Sequence, residues 1–357
     1  MDDVDLTILG GGPAGLFLGI AAASLLRSRV HIWTRQGYRD SGKTLEAVPA
    51  SLLVLLRQFG ISPSDIGVSQ VYRTREVGWS SIVPRLVSSS PFALIERPRF
   101  DLVLLRRLMS FTSVDIQEAI GGKFKDATLC GDPSRVVVDA TGRRAYTSSG
   151  VVRAPRQWVA RLWSMKCATS DESLSGLKLA ALEGGYAYRL SSDTFTVVGL
   201  IGPDYKHLAG LDQLRDLLES GAASWLLRGI QSTAVDSLSP RVASVQWSLS
   251  RDFQKSTFAV GDAAVARDPI ASQGIATSLS DALYALTAIR HRVGPNRVVS
   301  HQSQQLTAHL KNLSHFIGIC WSRASAPWRA YSEWLARTNM RSVPAFALRE
   351  GDIAQVF

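Results

Sequence analysis

The chain is poor in cysteine: three in 357 residues, Cys130, Cys167 and Cys320. They are odd in number, far apart and not spaced as zinc ligands. A disulfide scaffold is excluded, and the three read as buried thiols of a reducing compartment. No apolar run reaches the ~20 residues that cross a bilayer; the longest, Leu16 to Leu26, falls short. The opening Met1-Asp2-Asp3 is acidic, whereas a secretory leader begins basic. The expected location is cytoplasmic, with no membrane partner. Lysine-rich runs and basic tails are missing, so the net charge of +10 does not point to nucleic acid. It suits a basic enzyme that attracts anionic ligands. Low-complexity stretches and internal repeats are absent as well, which removes the disordered and collagen-like classes. His309 and His315 lie six apart, not on one helical face, and no metal site is expected.

What is present is core-forming material: 46% of the residues are hydrophobic, enough to need no staple. The length suits one large domain or two interleaved ones. The opening reads strand (Val4 to Leu9), glycine turn, helix (Leu16 to Leu26) and strand (Val30 to Trp33), a βαβ unit. Helices are expected over Pro49 to Gly60, Phe100 to Met109, Asp212 to Glu219 and Ser272 to Arg290. Strands are expected at Val136 to Ala140, Tyr186 to Leu190, Thr194 to Leu200 and Phe258 to Val260, and 151–250 is β-rich. From Arg297 to Thr338 the chain reads mostly helical and carries tryptophan.

Gly10-Gly11-Gly12-Pro13-Ala14-Gly15 contains G-x-G-x-x-G between a strand and a helix. The first glycine permits the turn, the second lets the backbone approach a pyrophosphate, and the third allows close helix–strand packing. The diphosphate then meets free N–H groups and the positive end of the helix dipole. An acidic residue usually ends the second strand and binds the ribose; Trp33, Thr34 and Arg35 stand there instead. Thr34 is a weaker acceptor than a carboxylate, so modest dinucleotide affinity is expected.

Two more segments extend this pattern. Val136 to Gly142 ends in Asp-Ala-Thr-Gly, and Phe258 to Ala264 carries Gly261-Asp262. Together and in this order the three segments resemble the FAD fingerprints of flavoprotein hydroxylases similar to p-hydroxybenzoate hydroxylase. Four further strings narrow the resemblance to the branch of flavin-dependent tryptophan halogenases and their relatives. They are Ser41-Gly42-Lys43-Thr44-Leu45 before Pro49, Glu96-Arg97-Pro98-Arg99-Phe100-Asp101, Asp268 to Ile275, and Trp321 with Ala326-Pro327-Trp328-Arg329. The resemblance implies an α/β fold in which a Rossmann-like FAD-binding domain (1–45, 95–150, 251–295) interleaves with a β-sheet substrate domain (46–94, 151–250). A helical C-terminal segment (296–357) follows.

The sequence departs from true halogenases twice. It has no Trp-x-Trp-x-Ile-Pro; Trp79 to Pro84 is a partial echo. It has no lysine between Lys43 and Lys123, where those enzymes carry the lysine that relays hypohalous acid. What remains is the lysine-free branch. It includes flavoproteins that hydroxylate tryptophan in peptides or proteins, such as the maturases of tryptophylquinone cofactors, and small-molecule oxygenases. The string at 268–275 resembles the maturases most.

The implied activity is a monooxygenase that transfers oxygen from a C4a-hydroperoxyflavin to an electron-rich arene such as the indole of tryptophan, free or peptide-borne. Molecular oxygen is the co-substrate. The chain has one dinucleotide fingerprint, so electrons come from NAD(P)H docking transiently or from a separate flavin reductase. A flavin oxidase or dehydrogenase, and a weakly FAD-binding partner without catalysis, stand as alternatives.

By resemblance the FAD contacts are Gly10, Gly12, Pro13, Ala14, Gly15, Thr34, Arg35, Lys43, Thr44, Arg97 and Asp262. Pro269, Ser272, Gln273, Gly274 and Ile275 line the ring edge. Lys43 either neutralises the diphosphate or is a solvated surface residue. Trp79, Tyr186, Tyr188 and His207 lie in segments expected to cover the flavin, with His207 a candidate base; Gln273 joins them as a catalytic candidate. Such aromatics are more often core than ligand. Trp321, Trp328 and Trp334 are core or a docking surface for a protein substrate.

Overall fold

The computed structural model describes residues 5–319, apart from 27, 36–43, 79–82, 120–135, 149, 154–157, 167–174, 204, 209, 222, 231–234, 244 and 250–256. Side chains at 35, 166, 206, 235, 249, 271, 296 and 309–319 are likewise outside the description.

The chain opens with β1 (Leu6–Leu9), α1 (Pro13–Leu25) and β2 (Val30–Arg35), the strand–turn–helix–strand unit that the glycine pattern implies. β3 (Leu45–Pro49), α2 (Ala50–Gln58), β4 (Val71–Gly78), β5 (Arg85–Glu96) and α3 (Arg97–Met109) follow. Then come β6 (Val114–Ala119), β7 (Val136–Asp139), β8 (Gly150–Arg153), β9 (Val159–Lys166), β10 (Gly176–Leu182), β11 (Gly185–Ser191) and β12 (Phe195–Gly202). The remainder is α4 (Leu211–Ser220), β13 (Val235–Ser237), β14 (Arg241–Val242), β15 (Gln246–Leu249), β16 (Thr257–Ala259), β17 (Val265–Ala266), α5 (Gly274–Arg290) and α6 (Asn296–Ile319).

Five strands form a parallel sheet in the order β16-β7-β1-β2-β6. Parallel strands are covered on both faces and so read as unbroken apolar runs. Leu6 to Leu9 is buried at every position, as is most of β7. Leu16, Phe17 and Ile20 of α1, Leu52 and Leu56 of α2, Phe100 and Leu104 of α3, and Leu279 and Leu286 of α5 share one core with this sheet. α1 is apolar nearly all round, as a helix buried against the sheet and two neighbouring helices must be.

The second sheet runs β13-β9-β12-β11-β10-β4-β5-β3, with β14 beside β9. It is antiparallel except where β10 meets β4. Side chains alternate between its faces. One face carries Trp163, Ala180, Leu182, Val198 and Leu200 and packs on Leu214 and Leu218 of α4. The other carries Leu162, Leu177, Leu179 and Leu190 and turns toward the parallel sheet's glycine loop. Arg189 is fully buried; it donates to Ser191 Oγ (2.7 Å) and to the carbonyls of Leu226 and Arg228 (3.1 and 2.6 Å), tying β11 to the turn Ser224–Leu227. A small third sheet, β17-β15-β8, bridges the two. Among the described residues no helix is long and apolar enough to cross a membrane, and no cluster of metal-ligating side chains occurs.

Candidate functional site

The parallel sheet's order reverses between β1 and β7: the chain moves outward to β2 and β6, then returns to β7 on the other side. A crevice opens beyond the strand ends at such a switch point, where dinucleotides bind in doubly wound folds. The two loops that flank it are Gly10–Gly12 after β1 and Ala140–Gly142 after β7. They touch. Gly10 has φ +116°, and a Cβ there would lie 2.2 Å from the Ala140 carbonyl oxygen. A Cβ at Gly15 would lie 2.0 Å from the Gly10 oxygen, so this glycine lets α1 press onto the turn. Gly12 differs. Its φ is −80°, and a Cβ there would meet nothing within 4 Å. Gly142 and Gly274 face open space in the same way. No side chain caps the start of α1, so its first N–H groups and the dipole face the crevice. These are the features a diphosphate requires, and the residues present fit a bound FAD.

Around the loop, Thr34, next to last in β2, is buried, its Cγ2 methyl 2.6 Å from where a Gly11 Cβ would stand. Gly11 is therefore required by Thr34, a packing relation the motif does not announce. Thr44 is 3% exposed, lines the cleft, and its hydroxyl has no hydrogen-bond partner among the described residues. Asp139 is not a ligand. Its two oxygens accept from the N–H and hydroxyl of Thr141 (2.9 and 2.6 Å) and of Thr147 (2.7 and 2.9 Å), and they shape the turn that carries Gly142, Arg143 and Arg144.

Five arginines and four carboxylates line one cleft of about 830 Å³. Arg97 starts α3 and is forked. Its Nε donates to both Asp101 oxygens (2.9 and 3.0 Å) and its Nη1 to Glu46 Oε1 (2.5 Å). Burial opposes the charge on Arg97, but Glu46 and Asp101 outweigh it and hold the guanidinium's pKa above its ordinary value. Burial pushes the Asp101 carboxyl up against the pull of Arg97. Asp262 follows Gly261 at the head of a short 3-10 turn, 3.8 Å from Arg143, with 43% of its side chain accessible from the cleft. Burial raises its pKa; Arg143, Arg267 and Arg97 oppose the rise. Beneath it Asp281 of α5 is fully buried and accepts from the Gly261 N–H at 3.3 Å. Burial pushes that carboxyl up to about 7, against Arg267 and the Gly261 hydrogen bond.

The far wall is the second sheet. Ala160 and Leu162, Leu177 and Leu179, and Tyr186, Tyr188 and Leu190 all line the cleft, each set at the two-residue spacing of one strand face. Tyr186 is buried and donates to Asp268 Oδ1 at 2.7 Å; the same oxygen accepts from the Ile270 N–H at 3.0 Å. This fixes the loop Pro269–Ala271 against the sheet, with Ser272 at φ +50° leading into α5. Burial, then Glu46, raise the Tyr188 pKa, so this phenol keeps its proton and remains a donor. Arg241 and Val242 of β14 form the rim.

Of the residues singled out from sequence, Gly10, Gly12, Pro13, Ala14, Thr34, Thr44, Arg97, Asp262, Pro269, Ser272, Gly274, Ile275, Tyr186 and Tyr188 come together here. Gly15 lies one layer below. Gln273 is exposed at the N-cap of α5 and His207 is exposed on the turn Tyr205–His207; neither lines the cleft. Lys43, Trp79, Trp321, Trp328, Trp334 and the side chain of Arg35 lie outside the described residues. Sequence reasoning missed Glu46, Asp101, Arg241 and Arg267. Asp101 had a signal, the i,i+4 spacing from Arg97; Glu46 had none, because its partner is 51 residues away.

No protein-family model matches the chain, and no curated protein matches it. Solved structures do. The peptidyl tryptophan dihydroxylase QhpG, essential for tryptophylquinone cofactor biogenesis, is 22% identical with a TM-score of 0.68, covering 93% of this chain and 79% of its own. The flavin-dependent halogenase CmlS is 18% identical with a TM-score of 0.69, covering 95% and 70%. P. aeruginosa PqsL, solved with 2-aminobenzoylacetate, is 15% identical with a TM-score of 0.67, covering 94% and 100%. The chain has the fold of these proteins, which include the branch its motifs resemble.

Proposed function

We propose that this chain is an FAD-dependent monooxygenase that hydroxylates an electron-rich arene, and that its arene is the indole of a tryptophan carried by a peptide or protein. The observation that carries the reading is one continuous cleft. Its floor has the glycines, helix N-terminus and arginines of a dinucleotide crevice, and its roof is an apolar sheet face bearing two tyrosines. The fold likeness to a peptidyl tryptophan dihydroxylase supports the substrate, and the missing relay lysine argues against halogenation. Bound and reduced, FAD supplies the activation of molecular oxygen; its electrons come from NAD(P)H or a separate reductase.

The residues divide the work. The first N–H groups of α1 and the open face of Gly12 receive the diphosphate. Asp262 accepts hydrogen bonds from the ribityl hydroxyls. The backbone at Ser272 and Gly274 borders the ring, where N–H donors favour negative charge on it. Leu162, Leu177, Leu179 and Leu190 exclude water and orient the arene. Tyr188 holds its proton at the phenol oxygen and acts as a donor.

Reducing the flavin on the purified enzyme and admitting isotopically labelled oxygen with tryptophan-bearing peptides tests this. Labelled hydroxytryptophan is expected, with no bromination when bromide is added. Peroxide release without labelled peptide, or a protein that retains no flavin, overturns the reading.

A further inference from the structure

The Arg97 fork leaves one oxygen unused. Asp101 gives both its oxygens to Arg97 Nε, while Glu46 gives only Oε1 to Nη1. The other Glu46 oxygen accepts from no described residue, and the side chain is 35% exposed, into the cleft. Its direction is set by β3, which pairs Glu46 with Ile95 of β5 and so places it where the parallel-sheet crevice meets the second sheet. Tyr188, on β11 of the same sheet, feels its charge. Two residues before Glu46, the Thr44 hydroxyl is buried on the same cleft, with no partner among the described residues. A cleft-facing acceptor oxygen and an unsatisfied hydroxyl thus sit together where the charged crevice meets the leucine-lined sheet face, with no hydrogen-bond partner for either among the described residues. A buried polar group without a partner is costly, and a ligand that brings a donor repays that cost.

We propose that Glu46 receives the ring N–H or phenolic O–H of the substrate, and that the site selects arenes carrying such a donor. The inference rests on the monooxygenase reading and narrows its substrate class. Glu46 then does two things. It fixes which ring edge faces the flavin, because the hydrogen bond orients an otherwise featureless apolar ring. It also places negative charge beside an arene that gains positive charge while it is attacked, a form of electrostatic stabilisation realised in the transition state. A site built to satisfy a substrate N–H or O–H rejects the analogue lacking it far more strongly than an apolar pocket discriminates by size.

Glu46→Gln isolates the effect. The amide keeps one oxygen for Arg97 Nη1 and turns the cleft-facing oxygen into an N–H donor, while Asp101 still grips Arg97. The probes are indole and phenol with their 1-methyl and O-methyl counterparts, titrated into the oxidised FAD-loaded protein and followed by perturbation of the flavin absorbance. The wild type is expected to bind indole or phenol at least tenfold more tightly than the methylated form. In Glu46→Gln that preference is expected to collapse, with flavin retention unchanged and the apolar methylated probe binding as before. Equal binding of the paired probes by the wild type, no binding of either, or a preference that survives in Glu46→Gln overturns the role of Glu46 and leaves the FAD reading intact. Failure of both proteins to retain flavin overturns the monooxygenase reading itself. Thr44→Val gives the second arm: it is expected to weaken the donor-bearing probes less than Glu46→Gln does.

Discussion

Gly10 and Gly12 stand two residues apart in one motif and are needed for different reasons. Gly10 is held by the fold: positive φ, and an oxygen 2.2 Å from any Cβ. At Gly12 no described atom lies within 4 Å of where a Cβ would stand. Gly10→Ala is therefore expected to destabilise the chain by about 3 kcal/mol, seen as a lowered melting temperature with or without flavin. Gly12→Ala is expected to cost under about 1 kcal/mol, the usual difference between glycine and alanine at an N-cap. Its methyl would stand in the diphosphate's path and weaken FAD binding by roughly tenfold, about 1.4 kcal/mol. Melting curves beside flavin titrations separate the two. The same contrast explains what a reader of sequence recovers at this scale. Gly10, Gly12 and Gly15 were legible because their spacing is local, and Arg97 because its helix start resembles a known string. Glu46 and Arg241 were not, because each owes its place to strand pairing between distant segments.

At the level of elements, α5 ties the Gly261–Ala263 turn to the core through one carboxylate. In the folded chain Asp281 keeps its proton up to about pH 7, against a reference of 3.8 for the free side chain. Between those values the folded form binds more protons than the unfolded one, so stability falls as pH rises. The contribution is complete below about pH 4 and gone above about pH 7. Asp101 and Asp262 are shifted in the same direction and add to the slope. Asp281→Asn retains an acceptor for the Gly261 N–H. It is expected to flatten part of the loss between pH 4 and 7, measured as melting temperature against pH. Elements also differ in how openly the sequence declares them. The apolar runs of β1 and β7 announce buried parallel strands. β10 does not: Gly176-Leu177-Lys178-Leu179-Ala180-Ala181-Leu182 has helix-forming residues, yet it is a strand buried at all seven positions. It holds Lys178 by pairing it with Glu76 at 2.6 Å across the sheet. The mostly exposed, arginine-bearing ribbon made by β4 and the first half of β5 gave no two-residue apolar alternation to find, although β5 ends buried at Phe92 to Ile95.

For the whole molecule, the charge balance becomes a prediction about ionic strength. Five arginines line the cleft of a chain with net charge +10, and the ligand proposed for it is an anion. Part of the cleft is open to solvent, so its field is screened over a Debye length of about 10 Å at 0.1 M salt and less above that. Raising sodium chloride from about 0.05 to 0.5 M is expected to weaken FAD binding severalfold, read by fluorescence titration; affinity independent of salt would mean that the buried contacts dominate.

The strand order has a further consequence, in time rather than space. β7 of the parallel sheet pairs with β16, more than a hundred residues later, and the crevice is finished by α5 behind it. Contacts so distant in sequence form late, and synthesis proceeds from the N-terminus. A ribosome-bound chain that has emerged only as far as β12 would own the whole glycine loop and still have no flavin site. The cofactor would then report on completion: it is bound only by chains that have closed their sheet, and yellow colour in a refolding experiment would appear with the last parallel strand rather than with the motif that first suggests the ligand.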